Sequence, residues 1–283
     1  MCSGYIEGLL ENRRLGIMAT FYDTHCHLYM NHFSDDLDQV LQDARNQDVG
    51  YILVPGIDIQ TSKAAIALAD KYDNVFAAVG VHPHDAKSVE PNWEDQIINL
   101  SAHPKVVAIG EIGLDFYRNY SPADIQYEIF QAQLELALRV NKPVIIHERD
   151  SAEKIWKILS QYVERFIHAF TDEWGVFHSF GSTMEYANKA IENKLLLGVS
   201  GPITYKTAQD KCTIFSEVPL ANILLETDAP YLTPHPYRGN RNSPEYIPII
   251  AEKIAELKKC EITEVRDITS TNADRLFTWR STP

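Results

Sequence analysis

Cysteine is scarce, and the four present, Cys2, Cys26, Cys212 and Cys260, form no CxxC pair, which excludes a disulfide framework and a cysteine-held zinc. Reduced thiols fit a cytoplasmic location. No apolar run approaches the roughly 18 residues that cross a bilayer, so no membrane partner is expected. Positive charge is in deficit: 26 Lys and Arg against 39 Asp and Glu give a net charge of −13 at pH 7. That excludes sequence-independent coating of nucleic acid, which depends on many phosphate contacts, but not an enzyme that grips only a chain end. The chain also lacks internal repeats and Gly/Ser or Pro-rich linkers, so its 283 residues read as one domain. Met1 to Ile17 contain Glu7 and Glu11 and no signal-peptide core, and Met18 stands just before the first strand-like run. Residues 1–19 therefore read as an N-terminal extension or start-site choice, and 20–283 as the domain.

What is present is alternation. Short β-branched runs recur at Phe21–Tyr22, Tyr51–Val54, Val75–Val79, Val106–Ile109, Pro143–Ile146, Val176–Phe177, Leu195–Val199 and Ile223–Leu225. Helices are predicted near 35–47, 61–72, 92–102, 121–140, 151–164, 183–193, 207–217, 244–259 and 263–277. The clearest has Ser121 as N-cap, Pro122 as first helical residue, and one face of Ile125, Ile129, Phe130, Leu134, Ala137 and Leu138. Continuous apolar strands alternating with helices predict a parallel sheet covered on both faces.

The residues that follow the strands select a closed (β/α)8 barrel over an open sheet. Strand one runs into Asp23-Thr24-His25-Cys26-His27, where alternate side chains of an extended segment present two imidazoles to one ion. Strand three runs into His82-Pro83-His84, strand four into Glu111 and Asp115, strand five into His147, strand six into His178, and strand eight into Glu226-Thr227-Asp228. Only a closed barrel brings these strand ends to one centre, at the face where barrel enzymes build their sites.

The chain resembles the TatD family of metal-dependent deoxyribonucleases, within the amidohydrolase-like barrel superfamily. The matching segments are DTHCHL at 23–28, GVHPHDA at 80–86, GEIGLDFYR at 110–118, KPVIIHERD at 142–150, GVSGPITYK at 198–206, ETDAPYLTP at 226–234 and RGNRNSP at 238–244. The resemblance implies two divalent cations, one held by His25, His27 and Asp228 and the other completed by His147 and His178, with Glu111 bridging. Superfamily members often bridge with a carbamylated lysine; Glu111 makes that modification unnecessary. After strand six the family usually has HxFxGS, whereas here His178-Ser179-Phe180-Gly181-Ser182 is one residue shorter. His178 is preferred because it ends an apolar pair; His168, the competitor, has neighbours that read as a helix or loop packed on the barrel. Glu148 replaces the usual small residue after the strand-five histidine and adds charge at the rim.

The expected activity is hydrolysis by a metal-activated water, with Asp228 orienting or deprotonating that water or acting purely as a ligand. Mg or Mn is the expected working ion, while the imidazoles also suit Zn, Fe or Ni. The family implies a deoxyribonuclease, read here as a 3′ to 5′ exonuclease whose partner is a DNA end, with no obligate protein partner. Substrate-facing candidates are His82, Arg118, Arg149, Tyr231, Arg238 and Arg241; Asn272 receives no catalytic role. The alternative is a hydrolase of a small ester, lactone or amide, which the same barrel supports.

Overall fold

A computed structural model describes residues 20–279. The expected extension, 1–19, lies outside the described residues. Eight parallel strands follow in chain order around one sheet: β1 Phe21–Asp23, β2 Val49–Pro55, β3 Val75–Val79, β4 Val106–Asp115, β5 Val144–Arg149, β6 Gly175–Phe177, β7 Leu195–Val199 and β8 Ile223–Leu225. The helices are α1 Leu37–Asn46, α2 Ile59–Lys71, α3 Trp93–Ser101, α4 Ala123–Val140, α5 Ala152–Leu159, α6 Val163–Ala169, α7 Met184–Glu192, α8 Gln209–Glu217, α9 Ile247–Lys258 and α10 Ile262–Phe277. The result is a TIM-type (β/α)8 barrel.

Strand alternation sorts the core into two shells. Leu53, Phe76, Ala108, Ile145, Val176, Leu196 and Leu224 form an inner cluster with Tyr22, while their neighbours Ile52, Val54, Leu195, Leu197, Ile223 and Leu225 belong to the outer cluster under the helices. The inner cluster also takes in Ala273, Leu276, Phe277 and Trp279. The Trp279 ring packs 5.7 Å from Tyr22, 6.0 Å from Tyr51 and 5.0 Å from Phe76. These residues lie toward the strand starts, so the end of the chain plugs the barrel floor, opposite the strand ends.

Three local expectations are corrected. Ser121 does not cap α4: its Oγ donates to His84 O and accepts from the Lys87 N–H, fastening the 3-10 turn Pro83–Ser88, and the N-cap position falls on Pro122. The single helix expected at 151–164 is two. Ser160 Oγ turns back to Lys157 O at the end of α5, and α6 then lays Phe166 against Trp174 at 4.3 Å. Strand four does not stop at Ile109. It continues to Asp115 with a register shift between Ile109 and Ile112, where the Glu111 N–H bonds Gly56 O. Glu111 thus lies within the sheet, not on a loop beyond it.

Trp279→Ala removes the plug and should cost about 3–5 kcal/mol, as large aromatic truncations in cores do. The expected result is a lower urea midpoint, with unchanged metal content in the protein that remains folded.

Candidate metal centre

The seam between β1 and β8 places the first histidines. Thr24 N–H donates to Leu225 O at 3.0 Å, Asp228 N–H to His25 O at 2.8 Å, and His27 N–H to Ala229 O at 2.8 Å. Asp23 Oδ1 accepts from the N–H groups of Thr227 (2.9 Å) and His25 (3.2 Å), and its Oδ2 accepts from Thr227 Oγ1 (2.6 Å). Burial pushes the Asp23 carboxyl up to about 8 against the pull of those donors. The backbone of Asp228 is left-handed, φ 57°, a conformation Asp tolerates better than most residues. The closing bonds of the barrel therefore orient the same segments that carry His25, His27 and Asp228.

Glu111 stands at the centre. Its Oε2 lies 3.3 Å from His25 Nε2 and 3.9 Å from His27 Nε2. Its Oε1 faces His147 Nδ1 at 2.7 Å, His82 Nε2 at 3.6 Å and His178 Nε2 at 4.0 Å. Asp228 Oδ1 sits 3.3 Å from His27 Nε2 and 3.9 Å from both His25 and His178 Nε2, and the two Nε2 atoms of His25 and His27 are 3.2 Å apart. Ligand atoms around one ion at bond lengths near 2.1 Å stand about 3–3.5 Å from one another, so His25, His27, Glu111 and Asp228 fit a cation.

The second set is arranged differently from the expected triad. The potential ligand atoms fall into the groups His25–Glu111–His178, His25–His27–Asp228 and His82–Glu111–His147, each with its atoms within 4.8 Å of one another. His147 and His178 stand at the same end of the barrel with ring centroids 6.4 Å apart. His147 approaches Glu111 through Nδ1 and Asp115 Oδ2 through Nε2 at 3.2 Å, so a cation held by this ring would take the place of one of those contacts.

Tautomer geometry separates His82 from the other imidazoles. Its Nδ1 accepts from the His84 N–H at 3.1 Å, which leaves the ring proton on Nε2, pointing toward Glu111. Burial, with the nearby His147, holds His82 well below the usual histidine range, so the ring is neutral. A neutral ring with a proton on Nε2 is a hydrogen-bond donor to the pocket and a poor ligand.

The other titrations follow from the same crowding. Burial alone would raise the Glu111 carboxyl, but His25, His82 and His178, with the His147 hydrogen bond, hold it well below the carboxylate range. Burial likewise acts upward on Asp228 and is outweighed by His27 and His178. Burial and the stacked His178 ring, 3.6 Å away, lower His25. Burial works downward on His147 and His178 also, yet Asp115 and Glu111 raise His147 to about 9, and Glu226 and Glu111 raise His178 to about 10.

Supporting groups surround the ligands: His84, Asp115 and Glu226 stand among the polar strand-end residues read from the sequence, whereas Tyr29 and Gly198 carried no assigned role. Tyr29 OH lies 2.9 Å from His27 Nδ1, continuing the alternation His25, His27, Tyr29 by which it was legible. Asp115 Oδ2 joins His147 to His84 Nε2, 2.8 Å away, and Glu226 Oε1 is 3.0 Å from His178 Nδ1. A Cβ on Gly198 would meet Glu226 Oε2 at 2.4 Å, so that glycine makes room for the carboxylate. Such partners fix ring orientation at metal sites.

Among the substrate-facing candidates, Arg118, Tyr231 and Arg238 are exposed on loops at this end, and Arg149 is exposed as the last residue of β5. Arg149 pairs with no carboxylate among the described residues; its guanidinium lies 4.0 Å from the Tyr117 ring centroid. Arg241 is engaged differently, by both Asp36 oxygens at 2.8 and 2.7 Å and by His32 O. His168 is an exposed residue of α6 bonded to Glu164 O, and Asn272 is buried with Nδ2 on Leu220 O and Ile223 O, tying α10 to β8. Glu148 Oε1 accepts from the Ser151 N–H rather than facing the pocket unpaired.

The profile of the family described as TatD related DNase matches residues 22–278. The chain is 41% identical over 256 residues to the metal-dependent hydrolase YabD of Bacillus subtilis, covering 90% of this chain and 98% of that one. It is 32% identical over 262 residues to the 3′-5′ ssDNA/RNA exonuclease TatD of Escherichia coli, again covering 90% and 98%. The crystal structure of the TatD homologue YjjV from E. coli superposes with a TM-score of 0.85 at 31% identity, covering 94% of this chain and 99% of that one.

Two outcomes are expected. Glu111→Ala should lower bound metal per chain and abolish turnover with an unchanged circular dichroism spectrum, whereas His82→Ala should lower turnover with metal content intact; elemental analysis beside the activity assay separates them. Protons on His147 and His178 must leave before either ring ligates, so metal affinity should rise with pH from 6 toward about 9 to 10. Calorimetry in two buffers of different ionisation enthalpy should register the released protons.

Proposed function

The chain belongs to the TatD-related DNase family of metal-dependent hydrolases, and on that premise we propose a 3′ to 5′ exonuclease acting on single-stranded DNA ends with two divalent cations per chain. The observation that carries the reading is the division of one carboxylate: Glu111 turns Oε2 to His25 and His27, and Oε1 to His147, His82 and His178. A carboxylate whose two oxygens address two histidine sets is what a bridging ligand requires. His25, His27 and Asp228 would hold the first ion, and His147 and His178 the second. Mg or Mn is the proposed working ion, with Zn, Fe or Ni also suited to the imidazoles.

Such ions, when bound, acidify a water and stabilise charge on phosphoryl oxygens. The protein's own groups do the rest. The Asp228 side chain is 15% exposed against 4% for Glu111, so it is the carboxylate that reaches an entering water and accepts its proton. The water oxygen bonds to phosphorus as the P–O bond to the neighbouring nucleotide breaks. His82 Nε2–H is placed to donate to a phosphoryl oxygen. Arg118, Arg149 and Arg238 supply positive charge for the strand's other phosphates. Cys26, Cys212 and Cys260 are free thiols, and no described helix is long and apolar enough to cross a membrane, both compatible with the proposed cytoplasmic site of action.

The test is a metal-titrated assay on 3′- and 5′-labelled single-stranded DNA beside a panel of neutral lactones and esters. Stepwise loss from the 3′ end is expected. Arg118→Ala and Arg149→Ala should each raise KM for the oligonucleotide, by about tenfold or more where a charge-assisted contact worth about 1.5–3 kcal/mol is lost. Robust turnover of a neutral ester with none of DNA would replace this reading with that of a small-molecule hydrolase.

A further inference from the structure

The large hydrophobic side chains most exposed among the described residues are Tyr117, Tyr120, Tyr231 and Tyr237. Their placement is not scattered. Tyr117 and Tyr120 lie between β4 and α4, and Tyr231 and Tyr237 lie between β8 and α9. Both loops follow strand C-terminal ends, so all four tyrosines belong to loops at the mouth, the end of the barrel that holds Glu111. In an eight-stranded ring β4 and β8 are four strands apart, which puts the two tyrosine pairs on opposite sides of that mouth.

Each pair is joined to the proposed metal centre. The Tyr120 ring lies 4.7 Å from His84, whose Nε2 bonds Asp115, the residue that contacts His147. On the other side the Tyr231 N–H bonds Asp228 O. Positive charge stands beside the first pair, and in the second Arg238 follows Tyr237 in the chain. The guanidinium of Arg149 covers one face of Tyr117 at 4.0 Å and that of Arg118 lies 5.3 Å from the same ring. Arg238 lies 4.5 Å from Tyr205, and Tyr237 is backed by the parallel ring of Tyr246 at 4.8 Å and 8°.

Flat rings beside guanidinium groups recognise a ligand that alternates flat faces with negative charge. Single-stranded nucleic acid has that chemistry: every base offers a π face, and every linkage a phosphate. A closed duplex hides its base faces in the stack, and a neutral ester has neither feature.

We propose that the tyrosines of the β4–α4 and β8–α9 loops are two base-stacking platforms that hold a single strand on either side of Glu111 and thereby select single-stranded ends. This inference rests on the exonuclease reading for its ligand class, but its test reads binding. A 5′-fluorescein phosphorothioate oligothymidylate resists hydrolysis and reports affinity by anisotropy with the protein as purified. The second probe has the same backbone with abasic residues.

Wild type should bind the base-bearing strand more tightly than the abasic one. Tyr117→Ala and Tyr231→Ala should each weaken the base-bearing strand about tenfold, the usual scale for losing one base–aromatic stack, and erase much of that preference. Tyr117→Phe and Tyr231→Phe keep the ring and should retain the affinity. Alanine variants that bind as wild type does, or that lose the same factor on both probes, would overturn the platforms. Hydrolysis of ordinary oligonucleotide by wild type, measured in parallel, distinguishes the two readings. Base-dependent binding without cleavage sinks the exonuclease and leaves the platforms; cleavage without base dependence does the reverse.

Discussion

A buried carboxylate ringed by imidazoles is the constraint to which the rest of the molecule answers. His25, His27, His82, His147 and His178 all approach Glu111 within 4.0 Å. At an effective dielectric near 20, two unit charges 4 Å apart interact by about 4 kcal/mol, so such a cluster tolerates neither all rings charged nor the carboxylate alone. The structure divides the load. Burial keeps His25 and His82 low, whereas Asp115 and Glu226 behind His147 and His178 keep those rings high. Each outer carboxylate thus determines which histidine carries charge.

Holding that cluster requires ring closure, because the histidines come from β1, β3, β5 and β6 and the carboxylates from β4 and β8. The β1–β8 seam closes through backbone bonds of Thr24 to Leu225, Asp228 to His25 and His27 to Ala229, reinforced by the side chains of Asp23 and Thr227. A short first strand and a short last strand leave backbone groups that the side chains of the two motifs satisfy. At the other end Trp279 and Phe277 fill the lumen, so the barrel is packed below the pocket and polar above it.

Much of this was legible because barrel enzymes place chemistry immediately after apolar strands. His25, His27, Glu111, His147, His178 and Asp228 each follow or lie within such a run, and the structure brings all six to one end. What stayed hidden depends on contacts between distant segments. Nothing in the sequence pairs Asp115 with His84, 31 residues earlier, or occupies Arg241 with Asp36, 205 residues away. Gly198 reads as a neutral small residue until Glu226 is seen to need its missing side chain. Ser121 carries the local mark of a helix cap, but a competing carbonyl on the adjacent loop claims its hydroxyl. The floor plug escaped for a related reason: Trp279 follows the last helix and belongs to no periodic run.

Charge balance joins the inner and outer groups in one account. Asp228 and Glu111 lie against the histidines, with Asp115 and Glu226 directly behind His147 and His178. Burial pushes the Asp23 carboxyl up against its hydrogen bonds from Thr227 and His25, so it counts less toward this set than the other four. Four carboxylates match the charge of the proposed pair of divalent ions held by neutral imidazoles, so the cations need no further counter-charge from solvent. A phosphate arriving at that balanced centre adds net negative charge that the neutral His82 donor does not cancel. Its compensation has to come from the rim, where Arg118, Arg149 and Arg238 are among the exposed cations in a chain of net charge −13. The acidic surface and the small basic mouth are therefore consistent with each other: the first repels long polyanions, and the second admits an end.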